Sequence, residues 1–286
     1  MAVAVHSRRR VKGSMPMSEH PSSCSQSSES ASALAAHSGG AAAACRGAYS
    51  LTIKRGILAL VIMFGFQTLV GIGLSYGARF IWGADAVNLP MIGMASVLIG
   101  GSLVLLWVWG DIRRFGPSFM PQIGLRRGTI QAAKAVVLVL LLVGATHLLA
   151  WVYRSVILPQ WGQGGIVGGG SEMFARLQES GSALGMTGFL ALALLVGPVM
   201  EEVVFRGYLQ SALARRMPAW AAITITSVVF TLGHGPAVLW PMYFLYSVAW
   251  GWIFVHTRSL QAAIASHVLS NAFYTVVAVM GWEVLA

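Results

Sequence analysis

A chain of 286 residues that is 56% apolar and only 10% charged cannot be an ordinary water-soluble protein, in which roughly a quarter of residues are charged. The formal charge of +10 would suggest nucleic acid in a soluble chain. Here the basic residues punctuate apolar runs, where they act as topology signals and contacts for anionic lipid, and no nucleic-acid partner is expected.

Residues 1–50 are rich in Ser, Ala and Gly, with a basic cluster at Arg8, Arg9, Arg10 and Lys12. Such a composition cannot bury a core and predicts a disordered tail. The segment 13–26 after the cluster is polar, whereas a signal peptide needs an apolar run of roughly 7–15 residues there. Cys24 and Cys45 both lie in this tail, so neither a disulfide framework nor a cysteine metal site is implied.

From Gly56 the chain turns continuously apolar. At roughly 20 residues per span, candidate spans fall at about 56–78, 89–109, 130–153, 184–208, 219–235, 239–256 and 261–281. The expected fold is an all-α polytopic transmembrane bundle of seven spans. Eight is the alternative count, because the fifth and sixth spans are short and separated by little beyond Gly235-Pro236. Three regions result: the tail 1–50, a first set of spans over 51–183, and a C-terminal core over 184–286. The first set ends in a Gly-rich loop at 162–170 and a short surface helix at 171–179.

Basic residues in short loops mark the cytoplasmic side. Arg46, Lys54 and Arg55, then Arg113, Arg114, Arg126 and Arg127, then Arg215 and Arg216, and finally Arg258 fall in alternate loops. The opposite loops carry Arg79 with Asp85, and Arg154 and Arg176 with Glu172 and Glu179. Seven spans with a cytoplasmic N-terminus satisfy every loop and leave Glu283 outside.

Only nine residues are acidic, and two of them, Glu201 and Glu202, sit side by side after an apolar run. A charge in a lipid-spanning helix costs roughly 3 kcal/mol on insertion scales, so this pair needs partners or a task. Arg206, four residues after Glu202, shares its helical face and can pair with it. Glu201 points about 100° away and has no such partner. Two more polar sites interrupt later apolar segments, Phe230-Thr-Leu-Gly-His234 and His267-Val-Leu-Ser-Asn271. A carboxylate, two imidazoles and an amide in such segments suit a buried hydrolytic site.

Each group also has a plainer explanation: an ion-paired core cluster at 201–206, an interfacial His at a helix end, and an interhelical hydrogen bond from His267 or Asn271. Pairing accounts for Glu202 and Arg206 but leaves Glu201 without a purpose. His147 reads as a core or interfacial His and Lys134 as a snorkelling Lys. Trp220, Trp240, Trp250 and Trp252 read as interfacial belts or helix packing. Ser270 lacks the arrangement of a serine nucleophile.

A helical ruler of about 1.5 Å per residue places Glu201 roughly 21 Å from the loop at Arg215, and His234 roughly 24 Å from the same loop. His267 is only roughly 10 Å past Leu260. Tilt, a projecting helix end, or a kink at Gly197-Pro198 is expected to absorb that offset of about two turns.

The order Glu-Glu-x-x-x-Arg, Phe-x-x-x-His and His-x-x-x-Asn resembles the CPBP family of intramembrane proteases, which includes the CAAX prenyl endopeptidases and the bacteriocin-processing and immunity-type (Abi) proteins. The resemblance covers residues 185–281. It implies an endopeptidase in which Glu201 activates a water, His234 shares that water, and His267 with Asn271 stabilises the oxyanion, while Glu202 and Arg206 form the supporting ion pair. It implies a peptide or membrane-protein substrate, with lipidated chains among the options, and a multi-pass protein of a prokaryotic plasma membrane.

Glu201, His234 and His267 could alternatively hold zinc. The absence of a His-Glu-x-x-His helix favours a metal-free glutamic mechanism with no cofactor. Two rival functions stand beside the peptidase. Intramembrane Glu and His also build proton- or cation-coupled transporters, although the first three spans have no carboxylate to mirror Glu201 as an inverted repeat would require. A non-catalytic immunity or scaffold protein of the same fold is the other.

Overall fold

The computed structural model describes residues 51–83, 88–125, 128, 130–162 and 169–280, all within one unit, Arg46–Ala286. The expected tail, Asp85, Arg126, Arg127, most of the Gly-rich loop and Glu283 lie outside them. Helices account for nearly all of the described residues and no strand occurs among them.

Six helices are long and apolar enough to cross a bilayer. Helix α1 (Ile53–Trp82) starts where Thr52 Oγ1 accepts from Arg55 N–H, and α2 (Leu89–Phe115) where Asn88 accepts from Met91 N–H. A tight 3-10 turn, Pro117–Ile123, follows. The chain then runs through α3 (Ala132–Gln160), the short α4 (Gly169–Ser180), α5 (Ala183–Leu213), α6 (Ala219–Leu232), α7 (Trp240–Thr257) and α8 (Leu260–Val279). Every expected span has its helix, and α4 is the expected short helix. The fifth candidate, α6, has only 14 residues. At about 21 Å it is shorter than a hydrocarbon core of about 30 Å.

Many apolar side chains face outward along α1, α2, α3 and α8, among them Leu69, Leu106, Leu141 and Val276. This is the arrangement of a bundle whose surrounding solvent is lipid. The protein is a multi-pass membrane protein. Helices α1, α2 and α5 approach closely at glycines: a Cβ on Gly100 would lie 2.9 Å from the Gln67 backbone, and one on Gly56 3.1 Å from Leu209 Cα. Below them Asp111, 5% exposed, accepts from both ends of the Arg55 guanidinium and from Tyr208 Oη at 3.1 Å. Arg55 therefore does more than mark a flank: with Asp111 it ties α1 to α2, and Tyr208 joins α5 to both.

The offset found with the helical ruler is resolved by the α7–α8 turn. Leu260 is fully buried, its N–H donates to Gly124 O at 3.0 Å, and its side chain lies level with Gly207 of α5. Gly207 precedes Arg215 by eight residues, about 12 Å of helix, so α8 begins inside the bundle and not at the membrane face. Counted from that level, Glu201 and His267 are six and seven residues along and stand at one depth. The 3-10 turn closes this recess from beneath, with Phe119 and Ile123 fully buried.

Candidate active site

Helix α5 is not a regular α-helix where it carries the carboxylates. Over Leu192–Val196 and again over Val203–Gln210 it opens to i→i+5 hydrogen bonding. Such π-turns rotate the register and often mark functional positions. The first is imposed locally. Pro198 cannot donate, and Gly197 N–H reaches back to Leu192 O; a side chain on Gly197 would meet that oxygen at 2.8 Å. The kink expected at Gly197-Pro198 therefore takes the form of a π-turn.

Between the two π-turns lie Glu201 and Glu202, facing different surroundings. Glu202 is fully buried; its Oε1 accepts from Arg206 Nη1 at 2.9 Å and from His267 Nδ1 at 2.9 Å. Arg206, also fully buried, donates Nη2 to Ser247 O at 2.9 Å and Ser247 Oγ at 2.7 Å. Its guanidinium lies 5.2 Å and 5.4 Å from the Phe230 and Trp250 ring centroids. The pair read from the sequence is present, and it extends through His267, Ser247 and two aromatic faces.

Glu201, with 19% of its side chain exposed, turns toward a cavity of about 490 Å³ that Pro198, His234, Trp250, His267 and Asn271 also line. Its Oε2 is 3.8 Å from His234 Nε2 and 3.8 Å from His267 Nε2. Both imidazoles are held from behind. His234 Nδ1 faces Phe230 O at 2.7 Å, and His267 Nδ1 faces Glu202. Those oxygens can only accept, so Nδ1 carries the hydrogen in each ring and Nε2 is the atom offered to the cavity. Aromatic faces fix the ring planes: Phe230 stacks on His234 at 4.0 Å and 20°, and Trp250 on His267 at 3.7 Å and 15°. Asn271, one turn beyond His267, donates Nδ2 to Ala193 O at 2.8 Å.

Five of the six residues singled out from the sequence are thus linked side chain to side chain, and the sixth, Asn271, lines the same cavity. Sequence reasoning missed Ser247 and gave Trp250 only a packing role. Nothing in a Trp or Ser on an apolar helix distinguishes a ring that stacks on an imidazole from one that faces lipid. His147 is a core residue, its Nδ1 facing Val143 O at 2.8 Å and its Nε2 facing Ser270 O at 3.3 Å. Lys134 is exposed near the start of α3.

Fold and site together define a class: an all-helical multi-pass membrane protein with a Glu, two His and an Asn gathered at a cavity inside the bundle. Residues 183–273, about a third of the chain, match the family described as Type II CAAX prenyl endopeptidase Rce1-like, which supports the CPBP resemblance over that segment. It is similar to the membrane-embedded CAAX protease MroQ of Staphylococcus aureus (strain USA300), with 32% identity over 103 residues, 34% of this chain and 42% of that protein. It is similar also to YdiL of Bacillus subtilis (strain 168), with 26% identity over 82 residues, 29% of this chain and 34% of that protein. The matched region spans less than half the length of each relative. No solved structure matches.

Proposed function

We propose that the chain is an intramembrane endopeptidase of the CPBP type, hydrolysing a peptide bond at or within the bilayer by a glutamate-activated water. The observation that carries this reading is the position of Glu201 Oε2, 3.8 Å from the Nε2 atoms of both His234 and His267. At that spacing one water can sit within hydrogen-bond reach of the carboxylate and of the bare His234 Nε2. Glu201 takes a proton as the water oxygen bonds to the scissile carbonyl carbon. The resulting oxyanion is met from the α8 side, where His267 and Asn271 lie, with Glu202 supporting positive charge on His267. Collapse breaks the C–N bond, Glu201 returns its proton to the leaving amine, and an acid and an amine depart.

Glu201, His234 and His267 are also the residues that would hold zinc, which would supply Lewis-acid activation of the water. Their Nδ1 anchors are of the kind that orient metal-binding imidazoles. Four-coordinate bonds of about 2.0–2.2 Å set ligand atoms about 3.3–3.6 Å apart, so the set as it stands, at 3.8 Å, is slightly too open. We therefore favour the metal-free mechanism.

The substrate is a peptide or membrane protein, with lipidated chains among the candidates, since the cavity that holds Glu201 is lined largely by apolar and aromatic side chains such as Phe174, Tyr243 and Tyr274. Comparing membrane-associated peptides from cells carrying the parent chain with those from a Glu201→Ala strain tests the proposal. Cleavage products lost in the variant are expected; an unchanged peptide population would overturn it, as would Glu201-dependent proton movement in liposomes without proteolysis.

A further inference from the structure

We infer that Asn271 has a positioning role besides the oxyanion role proposed above: it holds the broken helix α5 in register so that Glu201 faces the two imidazoles. The catalytic arm of this inference rests on the peptidase reading; the structural arm does not.

One carbonyl of α5 lacks its usual helical partner. In an unbroken α-helix Ala193 O would accept from Gly197 N–H. Here Gly197 N–H goes to Leu192 O instead. The next residue in line, which could serve Ala193 O in i→i+5 fashion, is Pro198 and has no N–H. Ala193 O thus gets no donor from either position. Ala193 is half-buried and lines the same cavity as Glu201, so within the protein its oxygen needs a side-chain donor or is left to cavity water. Asn271 Nδ2 supplies the donor at 2.8 Å from the neighbouring helix, 78 residues away in sequence.

The consequence for the site is geometric. Glu201 lies three residues past Pro198, so its direction depends on where α5 resumes its α-helical register after the π-turn. Leu192, Gly197 and Pro198 create the break, and Asn271 pins it to α8, the helix that also carries His267. One hydrogen bond therefore fixes the carboxylate relative to the imidazole it must work beside. The amide nitrogen carries a second hydrogen, which stays available on the cavity side.

The test is a double-mutant cycle on the full-length protein in detergent, with Asn271→Ala and Pro198→Ala. Replacing Pro198 restores an N–H, so that Ala193 O regains a backbone donor whether the helix keeps its π-turn or reverts to α. Asn271→Ala alone should lower the melting temperature by roughly 3–8 °C and kcat on the order of 10- to 100-fold with little change in KM. In the Pro198→Ala background the thermal effect should shrink to roughly 1 °C and the kcat effect by at least about threefold. If Asn271→Ala leaves the melting temperature unchanged, or lowers kcat by the same factor in both backgrounds, Asn271 does not act through α5 and the inference is overturned. Should Pro198→Ala abolish turnover by itself, the melting-temperature cycle decides alone. That arm needs no proteolysis, so its outcome is independent of whether the peptidase reading stands.

Discussion

His267 and Glu202, 65 residues apart in sequence, are joined by a 2.9 Å bond from Nδ1 to Oε1, the same oxygen that accepts from Arg206. Glu202 is thus more than half of an ion pair. It fixes which nitrogen of His267 bears hydrogen, aims Nε2 at the cavity, and stabilises the imidazolium in which Nε2 also becomes a donor. Arg206 in turn sets its guanidinium against the same carboxylate oxygen.

The two glutamates should therefore separate on substitution. Glu201→Gln keeps shape and removes the base, so hydrolysis should be abolished while the protein still accumulates in the membrane. Glu202→Gln should lower both the amount of folded protein and the specific activity of what remains, because it weakens a buried pair, worth roughly 3–5 kcal/mol when broken, and loosens His267. Arg206→Ala should act chiefly on folding. Quantitative blotting of membranes alongside turnover per folded molecule measures both. Loss of folded protein with retained specific activity in Glu201→Gln would reverse the roles.

A second expectation concerns the recess that sets the depth of His267. Gly124 has φ +78, and a Cβ there would lie 2.4 Å from the Phe254 ring and 3.4 Å from Leu260 N. Gly124→Ala must strain the backbone and push on the α7–α8 turn, costing at least about 2 kcal/mol. It should lower both melting temperature and turnover. Gly144→Ala, at a helical glycine with nothing within 4 Å, is the control and should change neither. If Gly124→Ala matched the control, the buried turn would not be what brings His267 level with Glu201.

A third follows from charge. The ends of α2 and α5, with Arg113, Arg114, Arg215 and Arg216, should face the cytoplasm. With Cys24 and Cys45 replaced by Ser, cysteines introduced beside Arg113 and Arg215 should be modified only from the cytoplasmic side. Those at Gly162 or Ser180 should react only from the other. Labelling of the latter positions from the cytoplasmic side would invalidate the assigned orientation.

The helices were legible because lipid makes their signal simple: long apolar runs, punctuated by basic loops, leave little else for the chain to form. The acidic pair was legible for the same reason, since Glu201 and Glu202 stand out against an apolar background, and the spacing to Arg206 foretold its bond. Depth was not. The ruler assumed that each loop lies at a membrane face, and nothing in the residues 257–260 announces that Leu260 bonds to Gly124 inside the bundle. Asp111 was passed over because its partners, Arg55 and Tyr208, are 56 and 97 residues distant. The bond from Asn271 to Ala193 was hidden because the need for it arises from a hydrogen bond that α5 fails to make, and spacing records side chains only.

The last prediction concerns metal and the oxyanion together. In the metal-free mechanism His267 binds developing charge from Nε2, so His267→Ala should cost on the order of 10²–10³ in kcat. Trp250→Leu should cost less, because it removes the face that holds the ring without removing the donor. Protein purified in chelator should retain full activity, and metal analysis of that active protein should find no stoichiometric zinc. The opposing outcome is equally definite. Zinc at one per chain, lost in both His234→Ala and His267→Ala, would make the imidazoles ligands and the nucleophile a metal-activated water. It would also require Glu201 Oε2 and the two Nε2 atoms to close from 3.8 Å to about 3.3–3.6 Å around the ion, a contraction that a structure of the zinc-bound protein would reveal directly.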